Sequence, residues 1–140
     1  MNLWRSYDRL KALEDALFGQ YDLTAQQYNA LRLLRAEHPA GLQTLTLAAR
    51  LISRAPDITR LVDKLAERKL VERHRPADNR RVVQVAITRA GLALLDDLAS
   101  ALRECNRKQL GHLSGKKLTT LIELLREVRA PHEDATAPPL

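Results

Sequence analysis

The sequence predicts a mainly α fold of the α+β class, with two helices and a β-hairpin in the middle of the chain and further helices at both ends. Three observations predict it. Apolar residues recur at three- and four-residue steps over most of the chain, the period of a helix packed on one side. From Leu70 to Thr88 the period changes to two, as in strands, and it is broken once at "PADN", whose residue types favour a turn. Aromatic residues make up 4% of the 140 positions while hydrophobic residues make up 45%, so the core is aliphatic and one compact domain is expected.

Each element follows from local signals. Residues 3–18 place Leu3, Tyr7, Leu10, Leu13 and Leu17 on one helical face, and Gly19 with the following "YD" interrupts it. Thr24 is the N-cap candidate for the next helix, with Gln27 three residues on in capping-box position. Its buried stripe is Tyr28, Leu31 and Leu34, and "PAG" at Pro39–Gly41 ends it. Leu42 reads as a short extended residue pinned to the core. Thr44 then caps a short helix that buries Leu47, Ala48 and Leu51. After a tight turn at "ISR", a helix over 54–69 starts near Ala55–Pro56, since proline is tolerated in the first turn. Its core face is Ile58, Leu61, Val62 and Leu65.

"LVERHR" forms the outgoing strand and "RVVQVAIT" the return strand, with Val83, Val85 and Ile87 facing one way. Thr88 caps a long helix bearing Leu92, Leu95, Leu98 or Ala99, and Leu102. Ser114 caps a last helix with Leu118, Leu121, Ile122, Leu125 and Val128 in its stripe. The tail "APHEDATAPPL" is small, polar and proline-rich, and is expected to fray.

The chain carries a net charge of +6. Between Arg50 and Arg81 stand ten basic residues (Arg50, Arg54, Arg60, Lys64, Arg68, Lys69, Arg73, Arg75, Arg80, Arg81) against five acids, which supplies most of that excess. A basic stretch of this kind suits a polyanionic partner, although a solvated face would look the same. Several classes lack their parts. The single cysteine, Cys105, allows neither an intramolecular disulfide nor a multi-cysteine metal site. The four histidines are scattered without a helical i, i+4 pair, so no metal or cofactor is expected. Catalytic residues are not expected either, for want of a phosphate loop, a nucleophile–base set or paired acids; Glu123 and Glu127 read as a solvated helix face. Apolar runs are far below spanning length and "MNLWRSYDRL" lacks a signal-peptide hydrophobic region, so a cytoplasmic protein without membrane contact is expected.

Two helices joined by a tight turn and followed by a hairpin with basic residues at its tip make a winged helix-turn-helix. The apolar stripe of the second helix holds it to the domain. Its other face offers Arg54, Asp57, Thr59, Arg60 and Lys64 to a DNA major groove, with Thr44 on the preceding helix. Arg80 and Arg81 at the hairpin tip can reach the backbone or the adjoining narrow groove, where the potential is most negative. The blander assignments are Asp57 as a helix-dipole partner and Arg60 as a partner of its helical neighbours.

At these residues the chain resembles the multiple antibiotic resistance regulators, the MarR family. "LTAQQYNALRLL", "LAARL", "ITRLVDKLAERKLVERHRP" and "DNRRVVQVAITRAGLALL" are similar to that family's successive segments, and the resemblance covers nearly the whole chain. It implies a single domain over 1–129, with the winged DNA-binding unit at 24–88, dimerisation helices at 1–23 and 89–129, and a disordered tail at 130–140. Counting back from Ile87–Thr88 puts the wing arginine on Arg81, its orienting partner open between Asp78 and Asn79. The unburied leucine stripes at both ends point to a homodimer. It would read a pseudo-palindromic double-stranded operator with half-sites about 34–36 Å apart. The implied function is a sequence-specific transcriptional regulator, a repressor relieved by a small anionic or phenolic effector. Trp4, Tyr7, Tyr21 and Tyr28 are the candidates to line its crevice, though tyrosines at helical spacing also serve as core edge. Cys105, on the long dimer helix, reads as an ordinary semi-buried cysteine. The alternative function is a winged-helix interaction or antirepressor module without DNA binding.

Overall fold

The computed structural model describes residues 1–52, 57–76 and 82–132. Its elements are α1 (Asn2–Gly19), α2 (Ala25–Ala36), β1 (Leu42–Gln43), α3 (Thr44–Arg50), α4 (Ile58–Glu67), β2 (Val71–His74), β3 (Gln84–Ile87), α5 (Arg89–Leu110), α6 (Gly115–Arg129) and a 3-10 turn at Ala130–His132. The two central helices and the paired hairpin strands of the sequence reading are present, with flanking helices on both sides.

The centre of the core is α2. Ala30, Leu31 and Leu34 are fully buried, and around them gather Leu17 and Phe18 of α1, Leu47 of α3, Val62 and Leu65 of α4, Val85 of β3 and Leu98 of α5. Truncating one such leucine to alanine costs about 2–5 kcal/mol, because the cavity left behind is only partly refilled. The predicted capping box starts this helix. Thr24 Oγ1 accepts from the Gln27 amide at 3.2 Å, and the Thr24 amide donates to Gln27 Oε1 at 2.9 Å. Two otherwise orphaned donors are thereby satisfied.

Two predicted helix starts move. Thr44 is not an N-cap: the capping position is Gln43, and no side chain caps α3. Long-range pairing decides this. Leu42 and Gln43 pair with Val85 and Gln84, and the Thr44 amide donates to the Val83 carbonyl at 3.4 Å, so the sheet takes over the capping. Helix α4 begins at Ile58 rather than near Ala55–Pro56. Asp57 holds a non-helical conformation (φ −145°, ψ 85°), and its carboxylate accepts from the Arg60 amide at 2.9 Å. An aspartate can satisfy that amide and alanine or proline cannot, so the strong cap sets the boundary.

The sheet is antiparallel in the order β1-β3-β2, with Val71 opposite Ile87 and His74 opposite Gln84. Both strands are shorter than the alternating pattern, and Val83 is only half-buried and outside β3. As the central strand, β3 buries Ala86 as well as Val85 and Ile87. Gly41, at φ +76°, lies so close to it that a Cβ there would stand 2.4 Å from the Val85 carbonyl oxygen.

Thr88 starts α5 as predicted and also anchors it. Its hydroxyl accepts from the Gly91 amide at 3.1 Å and donates to the Lys69 carbonyl at 2.7 Å. Buried Gln109, near the other end, donates through Nε2 to the Leu10 carbonyl at 2.9 Å and so ties α5 to α1. The terminal helices leave much of their apolar surface uncovered in one chain. From α1, Leu3, Trp4, Tyr7 and Leu13 are exposed and only Leu17 and Phe18 are buried; α6 buries no residue and exposes Ile122, Leu124 and Val128.

Candidate nucleic-acid interface

Helix α4 divides cleanly into two faces. Leu61, Val62 and Leu65 are buried and Ile58 is half-buried, while Thr59, Arg60 and Lys64 are exposed. Neither the Arg60 guanidinium nor the Lys64 ammonium has a hydrogen-bond or ion-pair partner among the described residues. Asp57 is the N-cap, so its carboxylate is occupied by the backbone of its own helix. Thr44 is half-buried at the start of α3.

Arg50, Arg68 and Arg73 of the basic stretch are committed to contacts within the chain. Arg50 pairs with Glu37 at 2.6 Å, joining α3 to the end of α2. Arg68 donates to the carbonyls of Asp22 (2.5 Å) and Tyr21 (3.1 Å), in the turn between α1 and α2. Arg73 of β2 pairs with Asp63 at 2.6 Å and donates to the Thr59 carbonyl at 3.4 Å. These contacts fix the pose of α4 from two sides.

Arg54, Arg80 and Arg81, with Asp78 and Asn79, lie outside the described residues. The hairpin stem that leads to 77–81 is described. Its last paired residues, His74 and Gln84, are also joined through their side chains, with 2.7 Å between Nε2 and Oε1.

A second feature is a cleft of about 280 Å³ between α2 and α5. Leu95, Leu98, Ala99 and Leu102 make its apolar wall, and Tyr28, Arg32, Arg35 and Arg103 supply its polar groups. Of the four aromatic candidates, the structure brings only Tyr28 here. Trp4 (77% exposed) and Tyr7 (63%) stand on the open face of α1, and Tyr21 is half-buried in the turn after it, packed on the core. Tyr28 stacks on Phe18 with ring centroids 4.7 Å apart. Burial raises its hydroxyl above the ordinary tyrosine value, while Arg32 and Arg35 pull the other way. The three arginines were missed in the sequence, although Tyr28, Arg32 and Arg35 share the i, i+4, i+7 spacing of one helix face. Cys105 is buried, and burial raises its thiol above the ordinary cysteine value.

Residues 23–83 match the family profile described as MarR family. The chain is 55% identical to a MarR transcription factor from Planctomyces limnophilus, whose crystal structure superposes with a TM-score of 0.71 over 89% of this chain and 90% of that one. The chain belongs to the MarR family. It is also 29% identical over 133 residues to the HTH-type transcriptional repressor NicR of Pseudomonas putida, covering 95% of this chain and 83% of that protein. At the level of fold, the chain matches Bordetella bronchiseptica BpsR (TM-score 0.80, 23% identity, 94% of this chain and 91% of that one), whose structure concerns regulation of DNA binding by 6-hydroxynicotinic acid. As a MarR-family protein the chain is a DNA-binding transcriptional regulator, and the reading as a module without DNA binding is not favoured. The relatives are regulators rather than enzymes. Among the described residues, no helix is long and apolar enough to cross a membrane, and no group of His, Cys, Asp and Glu could hold a metal ion.

Proposed function

We propose that the chain is a cytoplasmic repressor that binds a pseudo-palindromic operator as a homodimer and lets go when a small aromatic acid occupies the cleft between α2 and α5. The observation that carries the DNA reading is the outer face of α4. Arg60 and Lys64 stand there without partners among the described residues, over a buried apolar stripe, on a helix whose width fits a major groove. The contact set is Thr44, Arg54, Thr59, Arg60 and Lys64, with Arg80 and Arg81 from the wing meeting phosphate or minor groove. Asp57 serves this set by capping the turn that carries Arg60.

Residues 24–88 form the DNA-binding unit in this reading, and 1–23 with 89–129 form the dimer part. The exposed apolar residues of α1 and α6 support the division, since a second copy would cover them. The cleft, at about 280 Å³, lies at the small end of ligand sites and suits a one-ring molecule. Its three arginines favour an anion, in line with the acid named for BpsR.

The test is selection of DNA fragments by the purified protein, followed by gel-shift titration in rising salt. Each phosphate contact neutralised adds about 0.9 to the slope of log affinity against log salt, so a slope of several units is expected. A protein that binds no DNA even at low salt would instead be the interaction module.

A further inference from the structure

The last turn of α2 faces two ways. Arg35 lines the cleft, and its Nη1 lies 3.3 Å from Asp96 Oδ1 on α5. Two residues on, Glu37 holds Arg50 of α3 at 2.6 Å. Among the described residues, Arg35–Asp96 is the one ion pair that joins α2 to α5. Asp96, Ala99 and Arg103 are spaced i, i+3, i+7 on α5, so Asp96 sits on the stripe that borders the cleft. Of the three cleft arginines, Arg32 donates to the buried Asn29 Oδ1 at 3.1 Å, Arg103 has no partner among the described residues, and Arg35 alone holds a carboxylate.

We infer that Asp96 is a built-in competitor for the effector, and that an aromatic monocarboxylate enters the cleft by exchanging its carboxylate for that of Asp96 on Arg35. This rests on the reading of the cleft as the effector site. The chemistry is ion exchange with no covalent step: Arg35 keeps one anionic partner before and after, and Asp96 is released to solvent. The exchange is cheap because the pair is open, with the Arg35 and Asp96 side chains 52% and 76% exposed. Apolar burial of the ring against Leu95, Leu98 and Leu102 supplies what Asp96 cannot, which makes the incoming acid the better partner. The exchange also has an output. It cuts the ionic tie between α2 and α5 at the turn whose next contact is with α3 of the DNA-binding unit.

The experiment is calorimetric titration of the full chain with benzoate, and with benzyl alcohol as the uncharged analogue of similar shape. Asp96→Asn removes the competing charge at an exposed position. It is expected to tighten benzoate binding about two- to fivefold, the conversion of about 0.4–1 kcal/mol for an exposed pair, and to leave benzyl alcohol unchanged. Asp96→Ala is the second variant and should give the same split. Arg103→Gln should weaken benzoate in either background. If Arg103→Gln weakens benzoate but neither Asp96 variant tightens it, the cleft stands as the effector site and the competitor role is overturned. If benzyl alcohol tightens as much as benzoate, charge exchange is likewise refuted. If benzoate does not bind, or binds Arg103→Gln as tightly as the unaltered chain, the effector reading of the cleft fails and the competitor role falls with it.

Discussion

Replacing Arg60 by alanine takes away a side chain that the folded chain does not use. Its guanidinium has no partner among the described residues, and the Asp57 cap bonds to its backbone amide, which alanine keeps. Position 60 is exposed on α4, and alanine is a good helix former, so thermal unfolding should shift by no more than about 0.5 kcal/mol. Binding should change far more. A guanidinium that meets guanine O6 and N7 is worth about 1–3 kcal/mol of discrimination, so operator affinity should fall roughly 5- to 150-fold. Affinity for random DNA should fall less, because only the charge is lost there. Arg73→Ala is the matched control. It breaks the pair with Asp63 and the bond to the Thr59 carbonyl, so it should lower the unfolding free energy by about 0.2–1 kcal/mol before any DNA is present. The assay is fluorescence anisotropy on selected and scrambled duplexes at one salt concentration. A ratio of specific to random affinity that stays constant in Arg60→Ala would make Arg60 a backbone contact. An unchanged operator affinity would remove Arg60 from the proposed interface and leave it an arginine of a solvated helix face.

Arg81→Ala should weaken selected and random DNA alike and flatten the salt slope by about one unit; no change in either, by gel shift across a salt series, means that the wing does not touch DNA. Leu121→Asp puts a charge on the apolar stripe of α6, where desolvation without a partner costs several kcal/mol, and sedimentation should show the dimer lost or the fold weakened. Lys69→Gly should stabilise the chain. Lys69 has φ 57° at the end of α4, where its amide and that of Leu70 close back on Ala66 and Leu65, a position glycine fills without strain. The expected gain is about 0.5–1 kcal/mol, read as a rise of about 2–4 °C in Tm; an unchanged or lower Tm counts against that account.

What could be read from the sequence was what a few neighbouring residues decide. The Thr24–Gln27 capping box, the Ser114 and Thr88 caps, and the stripe Leu61, Val62, Leu65 are local chemistry, and they stand where the pattern put them. The start of α3 moved because Gln43 is held by Gln84, some forty residues away. The start of α4 moved because Pro56 and Asp57 are rival local signals, and the carboxylate wins through its bond to the Arg60 amide. Charge was counted correctly but not assigned. Nothing near Arg50, Arg68 or Arg73 in the sequence names Glu37, the carbonyls at 21–22 or Asp63 as partners. The cleft was the least legible feature. Its two walls, Tyr28–Arg35 and Leu95–Arg103, are each visible as helical spacing, but only folding places them face to face. Trp4 and Tyr7 drew attention by being aromatic and stand instead on the uncovered face of α1.

The joint between β3 and α5 sets the mechanics of any such regulator. Thr88 binds the turn between α4 and β2, at Lys69, and helix α5 through one hydroxyl, and Gly91 packs so tightly that a Cβ would stand 2.3 Å from the Leu70 carbonyl oxygen. There is no room there for a hinge, so the 22 residues of α5 act as a rigid lever about 33 Å long, welded at one end to the proposed DNA-binding unit. A tilt of about 5° at the weld moves the far end about 3 Å over that length. By the same geometry, a few degrees of rotation at the far end carry the welded unit a comparable distance. That is close to one base-pair step, about 3.4 Å along each strand. In the proposed dimer, control of operator spacing can therefore be exerted from the far end of α5, through changes too small to disturb the core of either subunit.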